Sequence, residues 1–321
     1  MQHYAEVKAI TQGTTSVIGS LLEPCNRGLV RNLNDDLTLG KILYNVSPLE
    51  MTETEAKVAK DALASNGSLF IHLGEGLPND AASTREFAML KGRGLLIPGV
   101  SLIHGVALKP SDFNEMAKAK VGLVWSPCSN LQLYGQTVDV EAAKTNGVIT
   151  ALAPDWSPTG SDGLLTDLNF AATWNAGLEH PLFHDHTLVQ MATSNAAKLL
   201  HLEKRLGSLQ EGFLADVLVL NPSHGGQSMD DAFWTITHST PEDVLLVMIG
   251  GKPVYDDPAI MKRLTGAMVM LEPIDICGVQ KSISFAEEFG PQRTFRQTQA
   301  ALSTALRQWS RKLAPLSDCG V

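Results

Sequence analysis

The chain has 321 residues, of which 44% are hydrophobic and 18% are charged, and its formal net charge at pH 7 is -9. This composition is typical of a globular protein with one or two domains. Lys and Arg do not cluster, so neither a nucleic acid nor an anionic membrane surface is expected as a partner. The apolar stretches fall far short of the roughly 20 residues that a membrane-spanning helix needs.

The first residues lack a basic region followed by an apolar one, so we predict no secretory signal. The four cysteines, Cys25, Cys128, Cys277 and Cys319, are widely scattered and form no CxxC pair. This spacing suggests no disulfide and fits a reducing compartment. We therefore expect a cytoplasmic protein.

Short strands and helices alternate in the first two thirds of the chain. After the end of a helix near the N-terminus, apolar and β-branched runs predict strands over 10–20, 39–46, 68–72, 99–104, 121–125 and 148–153. Helical periodicity and capping patterns, such as Thr52 with Glu55, predict helices over 52–65, 82–91, 111–119, 138–145, 164–176 and 187–200. This alternation is typical of a parallel sheet with crossover helices, which is an α/β fold.

The pattern changes near Asp216. We predict β structure over 216–220, 232–238 and 244–254, where Gly250-Gly251 marks a hairpin, and an amphipathic helix over 297–312. The predicted domains are therefore a barrel-type domain over 1–205, a partial β domain over 206–257 and a mixed, helical extension over 258–321.

Ionisable side chains follow three of the predicted strands at the point where each strand ends. They are His72 with Glu75, then His104, then Asp155. Each has a structural alternative, since a core histidine, a solvated loop glutamate and an Asx-turn are all common. Their shared position at successive strand ends favours an active site, as in α/β barrels. Two imidazoles and two carboxylates in one pocket indicate a metal ion with an activated water.

A polar and aromatic segment over 125–135 follows another predicted strand and is interpreted as a loop over the same face. Ser126, Asn130 and Tyr134 from this segment, together with Trp156, are predicted to bind substrate. The alternative is that these side chains satisfy loop backbone groups or pack in the core.

The strings His72-Leu73-Gly74-Glu75, His104-Gly105-Val106 and 153–157, with 192–198 and 206–220 downstream, resemble the amidohydrolase superfamily. The resemblance is to its branch of cytosolic aminohydrolases, which includes guanine deaminase and the chlorotriazine hydrolases. It implies a TIM-like (β/α)8 barrel and a metal-dependent hydrolase of non-peptide C–N bonds. The implied substrate is a small nitrogen heterocycle, and a homodimer is plausible.

The resemblance also implies a role for each ionisable residue. His72 would be a metal ligand, and Asp155 would be both a ligand and the acceptor of a proton from water. Glu75 would protonate the leaving nitrogen or the ring, and His104 would polarise the substrate or orient the water. Zinc is the expected ion, with iron or manganese as alternatives, because imidazole and carboxylate ligands suit all of these.

One departure from the family pattern affects the expected metal site. The family's first strand carries a His-x-His pair, and none stands before Ile10. A barrel of ~250 residues takes about 31 residues per βα unit, so residues 1–200 hold six or seven units. We therefore expect a barrel without its first βα unit, in which His72 and Asp155 are the remaining ligands and the metal can be absent. A non-catalytic remnant or binding module, and a cyclic amidase, are the alternative functions.

Overall fold

The computed structural model describes residues 2–19, 29–34, 36–45, 47–48, 50–155, 158–221, 229–265, 270–284 and 294–319. The chain divides into two compact units. The first comprises Met1–Asp35, Asp162–Thr166 and Leu214–Val321, and the second comprises Asp36–Ser161 and Asp167–Phe213. The predicted division at residues 205 and 257 stays a prediction.

The strands and helices are numbered in chain order. The strands are β1 (Ser16–Val17), β2 (Arg31–Asn32), β3 (Ile42–Asn45), β4 (Ser68–Leu73), β5 (Val100–His104), β6 (Gly122–Trp125), β7 (Thr150–Leu152), β8 (Val217–Leu220), β9 (Val244–Ile249), β10 (Lys252–Asp256), β11 (Glu272–Ile276) and β12 (Val279–Ile283). The helices are α1 (Gln2–Thr11), α2 (Glu53–Ala64), α3 (Ser83–Gly92), α4 (Pro110–Ala119), α5 (Pro127–Tyr134), α6 (Val140–Thr145), α7 (Leu164–Ala176), α8 (Asp185–Ala192), α9 (Ser194–Leu199), α10 (Met229–His238), α11 (Pro258–Thr265) and α12 (Phe295–Arg307).

The second unit is built on a parallel sheet of five strands in the order β3-β4-β5-β6-β7. The helices α2, α3, α4 and α6 connect successive strands, and every residue of β5 and β6 is buried. Strands that are covered on both faces are expected to be continuous apolar runs, which is the pattern that predicted them. The predicted α/β fold is therefore confirmed. Within the described residues the parallel sheet does not close into a barrel. Its alternation of strands and helices is nevertheless that of a TIM-like barrel.

Helix α2 begins where the sequence predicts. Thr52 Oγ1 accepts a hydrogen bond from the backbone N–H of Glu55, and the Glu55 carboxylate accepts one from the backbone N–H of Thr52. This reciprocal capping box satisfies two N–H groups that a helix otherwise leaves free. The chain then leaves α2 through Gly67 and enters β4.

Gly67 has no room for a side chain. A Cβ there would lie 2.5 Å from the carbonyl oxygen of Lys41 and 2.7 Å from that of Ala62. Both oxygens are backbone atoms that already accept hydrogen bonds from Ser68 and Gly67, so they cannot move freely. We expect Gly67→Ala to lower the free energy of unfolding by about 1–3 kcal/mol, measured by urea denaturation. Gly92→Ala is the control, because apart from its chain neighbours and the backbone of its own helix no atom lies within 4 Å of its Cβ position. Equal stability of the two variants would contradict the prediction.

The first unit contains an antiparallel sheet in the order β11-β12-β10-β9-β8 and the short parallel pair β1-β2. Its core includes Val7 and Ile10 from α1 and Val247 and Ile283 from the sheet. The predicted hairpin at Gly250-Gly251 is confirmed as β9 and β10, and the predicted C-terminal helix is α12. In the described part of the chain, none of the helices has the length and apolar character to cross a bilayer.

Some local predictions were wrong. The segment 125–135 is not a loop but contains α5, which has Pro127 at its first position and Gly135 in a left-handed conformation at its end. The segment 232–238 is not a strand but the end of α10, although it is rich in β-branched and aromatic residues. Ile10 belongs to α1, so the strand predicted over 10–20 is reduced to β1. The predicted helix 187–200 is interrupted at Thr193.

The expectation that the cysteines form no disulfide was also wrong. Cys277, in the turn between β11 and β12, is bonded to Cys319 across a separation of 42 residues. Cys128 is buried and is not part of a disulfide. Spacing along the chain cannot reveal such a pair, because the partners meet only when the C-terminal segment folds back on the hairpin.

Candidate metal centre

The carboxyl ends of β4, β5 and β7 carry the candidate ligands. His72 is the penultimate residue of β4, His104 ends β5, and Asp155 lies three residues after β7. Because these strands are parallel, their ends meet at one edge of the sheet. One ligand atom from each of the three residues lies within 4.8 Å of the others. The second unit therefore brings these predicted residues into one cluster.

The backbone turns sharply at two of the candidate ligands. His104 has a φ of 71° and Asp155 a φ of 63°, in the left-handed region that residues with a Cβ rarely adopt. This conformation costs roughly 1–2 kcal/mol per residue. Strain of this kind persists where the surrounding structure holds it in place, and it is concentrated at functional sites.

Both imidazoles have one ring nitrogen on a protein acceptor and the other available to the cluster. Nδ1 of His72 lies 3.5 Å from the carbonyl oxygen of Asn45, and Nδ1 of His104 lies 3.0 Å from Oδ1 of Asn130. The two rings are 5.1 Å apart. Burial lowers the pKa of both histidines, and the neighbouring His104 lowers that of His72 further. Both rings are thus favoured in the neutral form, which is the form that binds metals.

The two carboxylates have different surroundings. Asp155 Oδ2 accepts a hydrogen bond from the hydroxyl of Ser129 at 2.7 Å. Glu75 is on the loop after β4, and its Oε1 lies 3.5 Å from both His104 Nε2 and the Tyr134 hydroxyl. Burial raises the pKa of Glu75, His72 opposes this shift, and the charge of Asp155 adds to it. Burial, followed by Glu75, raises the pKa of Tyr134 to about 12. Glu75 therefore keeps a proton to higher pH than an exposed glutamate does.

The cluster has the donor set of a catalytic zinc site, which typically offers three protein ligands and one open position. Two imidazole nitrogens and one carboxylate oxygen also suit iron and manganese. His72, His104 and Asp155 could together hold one divalent ion. His104 thus offers a third donor atom beyond the two ligands that the sequence predicts, and the assignment of all three stays a prediction.

The residues predicted to bind substrate lie around this cluster. Ser126 is buried between β6 and α5, and Tyr134 is close to Glu75. Asn130 is fully buried, with both ends of its amide engaged by protein side chains. Trp156 is outside the described residues. Substrate contact by these residues stays a prediction.

Three residues near the cluster were not predicted. Ser129 contacts Asp155, and the ring of Tyr44 lies edge-on to His72 at 5.4 Å. Glu86 accepts hydrogen bonds from the backbone N–H of Gly74 at 2.5 Å and from the hydroxyl of Ser47 at 3.0 Å. Glu86 looks like any other acidic residue of an amphipathic helix, so the sequence carries no signal for this contact.

Glu86 holds the turn that connects His72 to Glu75. We expect Glu86→Ala to lower the free energy of unfolding by about 1–3 kcal/mol, because the buried N–H of Gly74 loses its acceptor. Glu86→Gln retains an acceptor oxygen at the same place and should lose less. Urea denaturation of the two variants and the wild type measures the difference. An Ala variant as stable as the Gln variant would show that the hydrogen bond to Gly74 contributes nothing.

A sequence profile described as the Amidohydrolase family matches residues 75–254, which is more than half of the 321-residue chain. The curated relatives include the 5-methylthioadenosine/S-adenosylhomocysteine deaminases of Thermococcus kodakarensis and Symbiobacterium thermophilum. The first is 28% identical over 51% of this chain and 40% of its own length. The second is 26% identical over 68% of this chain and 54% of its own length. The chain thus spans about half the length of the curated relatives it matches.

Solved structures share the fold. An adenosine deaminase from Xanthomonas campestris with bound zinc has a TM-score of 0.58 and 21% identity, over 70% of this chain and 52% of its own. The guanine deaminase of E. coli has a TM-score of 0.57 and 19% identity, over 65% of this chain and 53% of its own. With the family profile covering more than half of the sequence, the chain belongs to the amidohydrolase family.

Proposed function

We propose that this chain carries the site of a metal-dependent hydrolase that cleaves a non-peptide C–N bond in a small nitrogen heterocycle and releases ammonia. The observation that carries the proposal is the convergence of His72, His104 and Asp155 within 4.8 Å, with the Glu75 carboxyl beside His104. Family membership supports a hydrolase, and the names of the curated relatives support a deaminase.

The proposed reaction moves two protons, one from the attacking water and one to the ring or the leaving nitrogen. A candidate metal ligand, Asp155, would take the first. When bound, a divalent ion lowers the pKa of water from 15.7 to about 7 and so supplies a nucleophile at neutral pH. Asp155 accepts the proton that the attacking water loses. Its carboxylate is oriented by the hydroxyl of Ser129, which donates to Oδ2.

Glu75 provides the second proton. Because burial raises its pKa, the carboxyl keeps a proton to higher pH than an exposed glutamate does, and it donates this proton to the ring or to the leaving nitrogen. The Tyr134 hydroxyl lies 3.5 Å from Oε1 and stays protonated, so it restrains the position of the acid without competing for its proton. The site thus separates a proton acceptor, Asp155, from a proton donor, Glu75.

The substrate class is an aminated purine or a related heterocycle. The relatives are named for 5-methylthioadenosine and S-adenosylhomocysteine, and the structural neighbours for adenosine and guanine. All of these compounds contain an aminated purine ring, whose sp² carbon is the atom that a water nucleophile attacks. The aromatic rings of Tyr44 and Tyr134 lie near the cluster and suit a flat ligand.

The experiment combines metal content with product analysis. We expect the purified protein, loaded with zinc, to contain one ion per chain by elemental analysis. We also expect it to release ammonia from 5-methylthioadenosine, S-adenosylhomocysteine or guanine. A zinc-loaded protein that releases no ammonia from a panel of aminated purines and triazines would refute the deaminase proposal. Ring opening without ammonia would identify a cyclic amidase, and a protein that takes up no metal would be a binding module.

A further inference from the structure

Helix α5 lies against the candidate metal centre within the second unit. Its side chains reach three ionisable groups of that centre: Ser129 contacts Asp155, Asn130 contacts His104, and Tyr134 contacts Glu75. Ser129 and Asn130 are consecutive residues in the first turn of the helix, and both are fully buried. A short helix therefore touches two of the three candidate ligands through adjacent side chains.

The amide of Asn130 is oriented by a second contact. Its Nδ2 donates to Thr137 Oγ1 at 3.2 Å, and the same oxygen accepts from Trp125 Nε1 at 2.7 Å. With Nδ2 directed to Thr137, Oδ1 is the amide atom that faces His104 Nδ1 at 3.0 Å. An amide oxygen only accepts, so Nδ1 of His104 carries the ring proton and Nε2 keeps its lone pair.

Ser129 acts on the carboxylate in a similar way. Its hydroxyl donates to Oδ2 of Asp155 at 2.7 Å, which fixes the plane of the carboxylate and leaves Oδ1 for a cation. Asp155 itself follows a strand end and adopts a left-handed φ of 63°. The hydrogen bond from α5 is therefore a restraint on a residue whose own backbone conformation is unfavourable.

We propose that α5 is a positioning element that prepares two metal ligands before the ion binds. Asn130, held by Thr137, selects the Nδ1–H tautomer of His104, and Ser129 orients Asp155. Both are positioning residues, because they act through the ligands. This inference rests on the proposed function, because the positioning of metal ligands presupposes a metal site. The His104 tautomer, however, is a property of the protein without metal. Removal of such outer partners typically weakens metal affinity or activity by about 10–100-fold.

The first measurement is the tautomer. In metal-free, ¹⁵N-histidine-labelled protein, the ring nitrogens of His104 should show a proton on Nδ1, with the signal assigned by its loss in His104→Gln. Asn130→Leu should shift the ring towards the Nε2–H form, whereas Asn130→Asp retains an acceptor and should preserve Nδ1–H. A wild-type His104 protonated on Nε2 would overturn the inference.

The second measurement is zinc affinity by competition with a chelator. We expect Asn130→Leu and Ser129→Ala to bind zinc about 10–100-fold more weakly, and Asn130→Asp to stay near the wild type. Asn130→Asp loses the amide donor to Thr137 Oγ1, so a role limited to that hydrogen bond would predict that it fails like Asn130→Leu. Gln132→Ala is the control, because this residue is on the exposed face of the same helix.

The outcomes separate the inference from the function on which it rests. Wild-type affinity in Asn130→Leu, or equal losses in Asn130→Leu and Asn130→Asp, would overturn the positioning role. A wild-type protein that binds no zinc would refute the proposed metal site. The His104 tautomer would still show whether Asn130 of α5 selects the Nδ1–H form of that ring.

Discussion

Asp155→Asn should reduce ammonia release by about 10²–10⁴-fold or more, because loss of a positioned proton acceptor alone costs a factor of this size in rate. The carboxylate is also one of the three converging donors, so the variant should hold zinc more weakly as well. Asparagine has the same shape as aspartate and keeps an acceptor oxygen for the Ser129 hydroxyl. The lost function would therefore reflect the missing charge rather than a collapsed site.

Turnover and zinc content, measured on the same preparation, test this prediction. Asp139→Asn is the matched control, because Asp139 is exposed and caps α6 through an oxygen that asparagine retains. It should remain fully active and equally stable. An Asp155→Asn protein with wild-type turnover would exclude Asp155 as the proton acceptor.

The position of the cluster is predictable because the signals for it are local. The apolar runs that end at His72, His104 and near Asp155 predict strands, and helical sequence between them predicts parallel pairing. Parallel strands end at the same edge, so residues far apart in sequence meet there without any further information. The observed sheet order β3-β4-β5-β6-β7 follows the chain, which is the simplest outcome of this rule.

The residues that support the cluster could not be predicted in the same way. Asn130 and His104 are 26 residues apart, and so are Ser129 and Asp155, so only the packing of α5 brings them together. Ser, Pro and Asn are individually typical of turns, and an eight-residue helix is too short for a clear periodicity. The contact of Glu86 with Gly74 and the disulfide of Cys277 likewise depend on tertiary structure.

Glu75→Gln should lower turnover by about 10²–10⁴-fold and leave zinc binding intact, because glutamine cannot donate an acidic proton. Glu75 is outside the group of three converging ligands, so the ion should remain bound. Loss of zinc together with activity would contradict this division of labour and would make Glu75 a ligand. Glutamine preserves the length of the side chain and an acceptor for the Tyr134 hydroxyl.

The pH dependence of the rate gives an independent readout of Glu75. A general acid acts only while it is protonated, so its contribution is present below its pKa and is lost as the pH rises through that value. Because burial raises the pKa of Glu75, the loss should occur at higher pH than for an exposed glutamate. In a plot of kcat/KM against pH, the decline of the wild type at higher pH should disappear in Glu75→Gln. The residual rate of this variant should stay constant over the same pH range. If Glu75→Gln showed the same decline with pH as the wild type, both the titration and the proton donation would belong to a different group.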